Sequence, residues 1–96
     1  MRSRFTAFAR GDEAYLLRTW HASTRPARLE LDPDVRWYRL DIVGAERGGP
    51  FDREGTVEFA AYFRGPERGV LRENSRFVRE GGDWYYVAAL SAVAER

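Results

Sequence analysis

Residues 73–90 read "ENSRFVREGGDWYYVAAL", and the Gly81-Gly82 pair at their centre decides the architecture. Two glycines between runs of aromatic and β-branched residues suit a two-residue type I′ turn, whose two central residues both need positive φ. Such a turn sets Glu80 opposite Asp83, Arg79 opposite Trp84, Phe77 opposite Tyr86 and Ser75 opposite Ala88. Opposed residues share a face, so Glu73, Ser75, Phe77, Tyr86, Ala88 and Leu90 fall on one side, with Asn74, Arg76, Val78, Tyr85 and Val87 on the other. One segment upstream, Val57, Phe59, Ala61 and Phe63 alternate with Glu58, Ala60 and Tyr62, which marks the odd-numbered set as the core face. If Phe63 opposes Leu71, Glu58 and Arg76 become cross-strand neighbours on the outer face. Strands are thus expected over Trp37–Val43, Thr56–Phe63, Val70–Arg79 and Trp84–Leu90, separated by "GAERGGPFDREG", "RGPERG" and "EGGD".

The first third has a different period. Phe5 and Phe8 lie one helical turn apart, Gly11 can close that helix in the left-handed conformation, and Asp12 can cap a second. In the second helix Tyr15, Leu16, Thr19 and Trp20 form an apolar stripe, with Asp12 and Glu13 at its positive end and Arg18 and His21 at its negative end. From Ala22 to Asp34 prolines and turn formers break the pattern, and Thr24 is expected to cap one helical turn reaching Arg28. Helices followed by antiparallel strands define an α+β class over residues 1–96, read as one domain.

Composition narrows the function classes. The chain has 96 residues, of which 44% are hydrophobic and 15% aromatic, enough for a packed core. All 16 basic residues are arginine, and 15 carboxylates leave a formal net charge of +1, so no basic field points to nucleic acid. Without cysteine, and with a single histidine, the chain has no thiolate or histidine-rich ligand set, so no metal or other cofactor is expected. No apolar run approaches the length of a membrane span, and no signal-peptide core follows Met1, so a cytoplasmic location is expected.

With these elements in place, "MRSRFTAF", "YLLRTWHASTRPA", "GTVEFAAYFR" and "ENSRFVREGGDWYYV" together resemble the central domain of the bacterial YchJ family. The resemblance runs from Met1 to about Leu90. It implies a cone-shaped domain similar to nuclear transport factor two and ketosteroid isomerase, with helices packed into the hollow of a curved antiparallel sheet. Family members carry cysteine-rich SEC-C type segments flanking this domain, and this chain has none. It either stands alone or belongs to a longer protein that extends into such segments.

The candidate residues each have two readings. His21 carries the chain's imidazole, a group suited to proton transfer, and at the mouth of a cone could move a proton; alternatively it caps carbonyls at a helix end beside Trp20. Glu73 and Ser75 share the core face with Phe77 and Tyr86, where a carboxylate needs a partner or a shifted pKa. Glu73 could face a ligand, or it could anchor the "STRP" turn onto the sheet by accepting from Arg25 or from a backbone or tyrosine donor. Trp20, Trp37, Trp84, Tyr15, Tyr62 and Tyr86 are available to line an apolar pocket or simply to fill the core. Trp20 is expected to pack inward, with His21 one step round the helix at the rim of the cone.

Two functions follow. The favoured one is a non-catalytic module that binds a small ligand or a protein partner, with Trp20, His21, Arg25, Glu73, Ser75 and Tyr86 around the site. The alternative is a small isomerase- or hydratase-type enzyme in which His21 or Glu73 moves a proton on an apolar substrate. Polar groups converging on an open cavity would favour the enzyme, and a filled cone the binding module. A homodimer through Arg76, Tyr85 and Val87 on the outer sheet face is a further expectation, by analogy with open cone-shaped sheets.

Overall fold

The computed structural model describes residues 1–95. Two helices, α1 (Arg2–Arg10) and α2 (Glu13–Arg18), precede four strands, β1 (Arg36–Arg47), β2 (Glu54–Arg64), β3 (Gly69–Glu80) and β4 (Asp83–Glu95). The strands form one antiparallel sheet in the order β1-β2-β3-β4. Gly11 closes α1 with φ 69° and donates to the carbonyls of Ala7 and Phe8, while the Asp12 side chain accepts from the Tyr15 amide to start α2. No helical turn forms over residues 24–28. The Thr24 hydroxyl instead donates to the Val87 carbonyl at 2.6 Å and accepts from the Trp20 indole, because a strand edge offers it an unpaired acceptor.

The β3–β4 hairpin turns at Gly81 (φ 59°) and Gly82 (φ 87°), and Glu80 opposes Asp83, Arg79 opposes Trp84 and Phe77 opposes Tyr86, as the turn type requires. Farther from the turn the expected register is corrected. Arg76 faces Ala88 and Ser75 faces Ala89, so Val87 is an extra residue, and Leu90 is a second one before Ser91 meets Asn74. The two bulges move Ala88 to the outer face, leave Leu90 58% exposed and increase the local twist of the sheet. The β2–β3 register is also corrected, by two residues: Phe63 opposes Gly69, Glu58 opposes Asn74, and Arg76 opposes Thr56 and pairs with Glu54 at 3.1 Å. The tighter connection over residues 65–68 causes the slip. A shift of two preserves every face assignment, because side chains alternate with a period of two.

The concave face carries Trp37 and Leu40 from β1, Phe59 and Ala61 from β2, Glu73, Ser75 and Phe77 from β3 and Tyr86 from β4. Helix α1 lies against β1, with Phe8 and Trp37 ring centroids 6.3 Å apart, and Leu16 of α2 is fully buried. The segment after α2 follows the β4 edge: the Tyr86 amide donates to the Thr19 carbonyl at 2.8 Å, and the His21 amide donates to the Tyr86 carbonyl at 2.7 Å. This parallel bridge protects an edge that would otherwise be open to other chains. Among the described residues no helix is long and apolar enough to cross a membrane.

Candidate functional site

Between α1 and the concave face lies a cavity of about 110 Å³. Its walls are mainly apolar, from Phe5, Phe8, Trp37, Leu40, Phe59 and Leu71, and its polar end is formed by Arg4, Trp20, Glu73 and Tyr86. Arg4 is the residue that sequence reasoning missed. It lies on the α1 face shared with Ala7 and Phe8, three and four residues on, and is only 5% exposed. An arginine on the apolar stripe of a helix is the signal that could have found it.

The Arg4 guanidinium is held from three sides. Nη1 donates to the Leu16 carbonyl at 3.0 Å and to the Thr19 hydroxyl at 2.6 Å, and Thr19 in turn donates to the Tyr15 carbonyl at 2.8 Å. The planar cation also lies 4.7 Å from the Tyr86 ring centroid and 5.4 Å from that of Trp20, which themselves meet edge to face at 5.0 Å. Burial brings its pKa down to about 10, so it remains a cation at neutral pH.

Glu73 faces the same end of the cavity. It accepts from the Ser75 hydroxyl in a short hydrogen bond, and its charge lies close enough to the Tyr86 phenol to act on it. Ser75 is completely buried, so the carboxylate is the partner that satisfies it. Burial raises the Tyr86 pKa, and the negative charge of Glu73 raises it further, against an opposing effect of Arg4. Arg4 therefore stands where the sequence suggests Arg25: Arg25 donates from Nε to the Trp20 carbonyl at 3.0 Å and stays exposed at the turn. The turn is held by backbone and by Thr24, and Glu73 takes no part in it.

His21 and Glu73 do not share a cavity. The chain crosses the β4 edge between Trp20 and His21, so the indole packs inward while the imidazole lies over the outer face. There His21 Nε2 meets Glu80 at 2.8 Å, Nδ1 meets the Ser23 hydroxyl at 2.6 Å, and the ring lies edge-on to Tyr85. It borders an open groove with Arg76, Val78 and Val87 on the opposite side of the sheet from the cavity. Of the other aromatic candidates, Trp20, Trp37 and Tyr86 line the cavity, whereas Tyr15, Tyr62 and Trp84 do not. The outer face expected to meet a second copy is partly roofed by the chain itself, since Val87 is only 8% exposed and Tyr85 lies against His21.

The Tyr86 environment makes one expectation for alkaline pH. A phenol whose folded-state pKa is raised keeps its proton while the unfolded chain loses it, so its stabilising contribution is full below the ordinary value of 10.0 and declines above it. Arg4, whose pKa is lowered to about 10 in the folded chain, acts in the opposite direction above that value, where the unfolded chain binds the extra proton. Comparing the intact chain with Tyr86→Phe isolates the first effect. The melting-temperature advantage of the intact chain should be constant up to pH 9 and shrink by pH 11; a constant gap over that range would contradict the assignment.

Comparison with known proteins places this geometry. Residues 1–89 match the family model described as the YchJ middle NTF2-like domain. A UPF0225 protein of Streptomyces avermitilis is 56% identical over 87 residues, covering 91% of this chain and 60% of that protein. A UPF0225 protein of Corynebacterium efficiens is 53% identical over 95 residues, covering 99% of this chain and 72% of that one. The chain thus spans only part of the curated relatives it matches. Among solved structures, the solution structure of a SEC-C motif containing protein from Rhodopseudomonas palustris superposes with a TM-score of 0.79 at 29% identity, covering 95% of this chain and 74% of that one.

Proposed function

Starting from the fact that the chain belongs to the family of the YchJ middle NTF2-like domain, we propose that it is a non-catalytic binding module whose concave cavity takes a small, uncharged, ring-sized apolar group. The observation that carries this reading is the charge-balanced polar end of an otherwise apolar cavity, with Arg4 and Glu73 both held by protein partners. A volume of about 110 Å³ falls short of the ~300–1,000 Å³ of drug-sized ligand pockets and approaches the ~150 Å³ that accepts benzene. An anionic ligand would be opposed by Glu73 and a cationic one by Arg4, so a neutral group is favoured. The group could be a free small molecule or an apolar side chain of a partner, and a cytoplasmic setting belongs to the same proposal.

The acid–base alternative is weaker on geometry. A general base must lie within hydrogen-bond reach of the proton it removes, and His21 is separated from the cavity by the sheet. Glu73, the other candidate, does line the cavity but is engaged by the Ser75 hydroxyl, and the neighbouring Tyr86 is moved away from neutral pH by its surroundings.

The test is a titration of the ¹⁵N-labelled chain with phenol, toluene, benzoate and benzamidine. Phenol and toluene should shift the Trp20, Trp37 and Tyr86 signals with affinities of roughly 0.1–1 mM, as expected for ligands of seven heavy atoms, and the charged pair should bind at least about tenfold more weakly. His21→Gln should alter neither binding nor, by more than about 1 kcal/mol, stability, since its Glu80 partner is 63% exposed. Preferential binding of benzoate, or loss of binding in His21→Gln, would contradict the proposal.

A further inference from the structure

On the convex face, at the corner farthest from His21, β1 and β2 build a ladder of alternating cations and rings. The Arg64 guanidinium lies 5.2 Å from the Tyr38 ring centroid, Tyr38 lies 6.3 Å from Tyr62, and Arg39 lies 5.0 Å from Tyr62. Tyr38 is the extra residue of a β-bulge between the Trp37–Phe63 and Arg39–Tyr62 pairs, and it is 52% exposed. Next to it Arg36 and Arg64 stand directly opposite each other in the register, both exposed. Arg39 has a local counterion, Asp41 at 3.1 Å, but neither Arg36 nor Arg64 joins an ion pair among the described residues.

Like charges directly opposed across two strands destabilise the pairing, and this chain has acidic residues to place at either position. Exposed tyrosine and arginine are also the residue types that dominate binding at protein interfaces, because a ring or a planar cation offers a large contact area at low entropic cost. We propose that this corner is a docking surface for an acidic segment of a protein partner, in which two carboxylates neutralise Arg36 and Arg64 and an apolar side chain packs on Tyr38. Carboxylates match the forked geometry of guanidinium groups, and at this corner Arg36 and Arg64 are the cations without an ion pair among the described residues. A nucleic-acid strand would need a longer basic track, and Asp41 interrupts the face.

Fluorescence anisotropy on the full chain tests the proposal. The probe is a labelled ten-residue peptide of Asp and Glu around a central Phe-Leu, compared with its Asn/Gln counterpart and with oligothymidine of equal length. The acidic peptide should bind at least about tenfold more tightly than the neutral one and weaken with added salt. Arg36→Glu should abolish that preference while melting at or above the temperature of the intact chain, because it places an ion pair opposite Arg64. Tyr38→Ala should weaken binding without unfolding. Equal binding of the two peptides, retained binding or a lowered melting temperature in Arg36→Glu, or tighter binding of oligothymidine would each overturn it.

Discussion

Replacing Arg4 with alanine should cost roughly 3–5 kcal/mol, the range expected when a buried charge is removed and its partners are left unpaired. The side chain ties α1 to the end of α2 and to β4: it starts on α1, bonds the Leu16 carbonyl near the end of α2, and stacks on Trp20 and on Tyr86 of β4. Its loss leaves the Thr19 hydroxyl without its donor and Glu73 without the nearby cation, and it enlarges the cavity. Against a total stability of about 5–15 kcal/mol, that is a large fraction. For a chain of this size each kcal/mol corresponds to about 4–8 °C, so melting should fall by roughly 15–30 °C. Arg4→Met should recover part of the loss by restoring packed volume, whereas Arg4→Lys should not, since an ammonium group offers no flat face to two rings. Thermal unfolding by circular dichroism measures all three. A loss under about 1 kcal/mol for Arg4→Ala would mean that the guanidinium only fills space.

The sheet is legible in the sequence where local chemistry dictates geometry. Gly81-Gly82 allows essentially one tight hairpin, so the register near the turn and the identity of both faces follow from the residue order alone. The bulges at Val87 and Leu90 are not legible there, because they answer to the curvature of the whole sheet and to the bridge with Thr19–His21, contacts far apart in sequence. The β2–β3 slip has the same origin in a loop whose length, but not path, is given by "RGPERG". In the site, Glu73, Ser75 and Tyr86 group together on sequence alone because strand alternation is strict. Adjacency to the turn favours Arg25 over Arg4 as the cation, whereas only the docking angle of α1 decides that Arg4 points into the hollow. The side of the sheet occupied by His21 depends on where the chain crosses the β4 edge, and helical periodicity ends at Arg18, too soon to tell.

Glu73→Gln should change what the cavity accepts more than it changes the fold. Glutamine retains the size of the side chain and a carbonyl oxygen that can accept from Ser75, so the stability cost should stay at about 1–3 kcal/mol, the price of exchanging a charged hydrogen bond for a neutral one. The charge balance, however, is lost: the Arg4 cation then faces a neutral amide at the polar end of the cavity. Unit charges several ångströms apart at an effective dielectric near 20 interact by ~2 kcal/mol, so removing the repulsion from Glu73 should improve benzoate binding by roughly tenfold or more. Toluene, which has no charge to respond, should bind within about twofold of its affinity for the intact chain. The two titrations together distinguish a charge effect from a general loosening, since a loosened cavity would change both ligands in parallel. If benzoate gains nothing while toluene is unchanged, Glu73 serves only to satisfy Ser75, and the proposed selection for uncharged ligands fails with it.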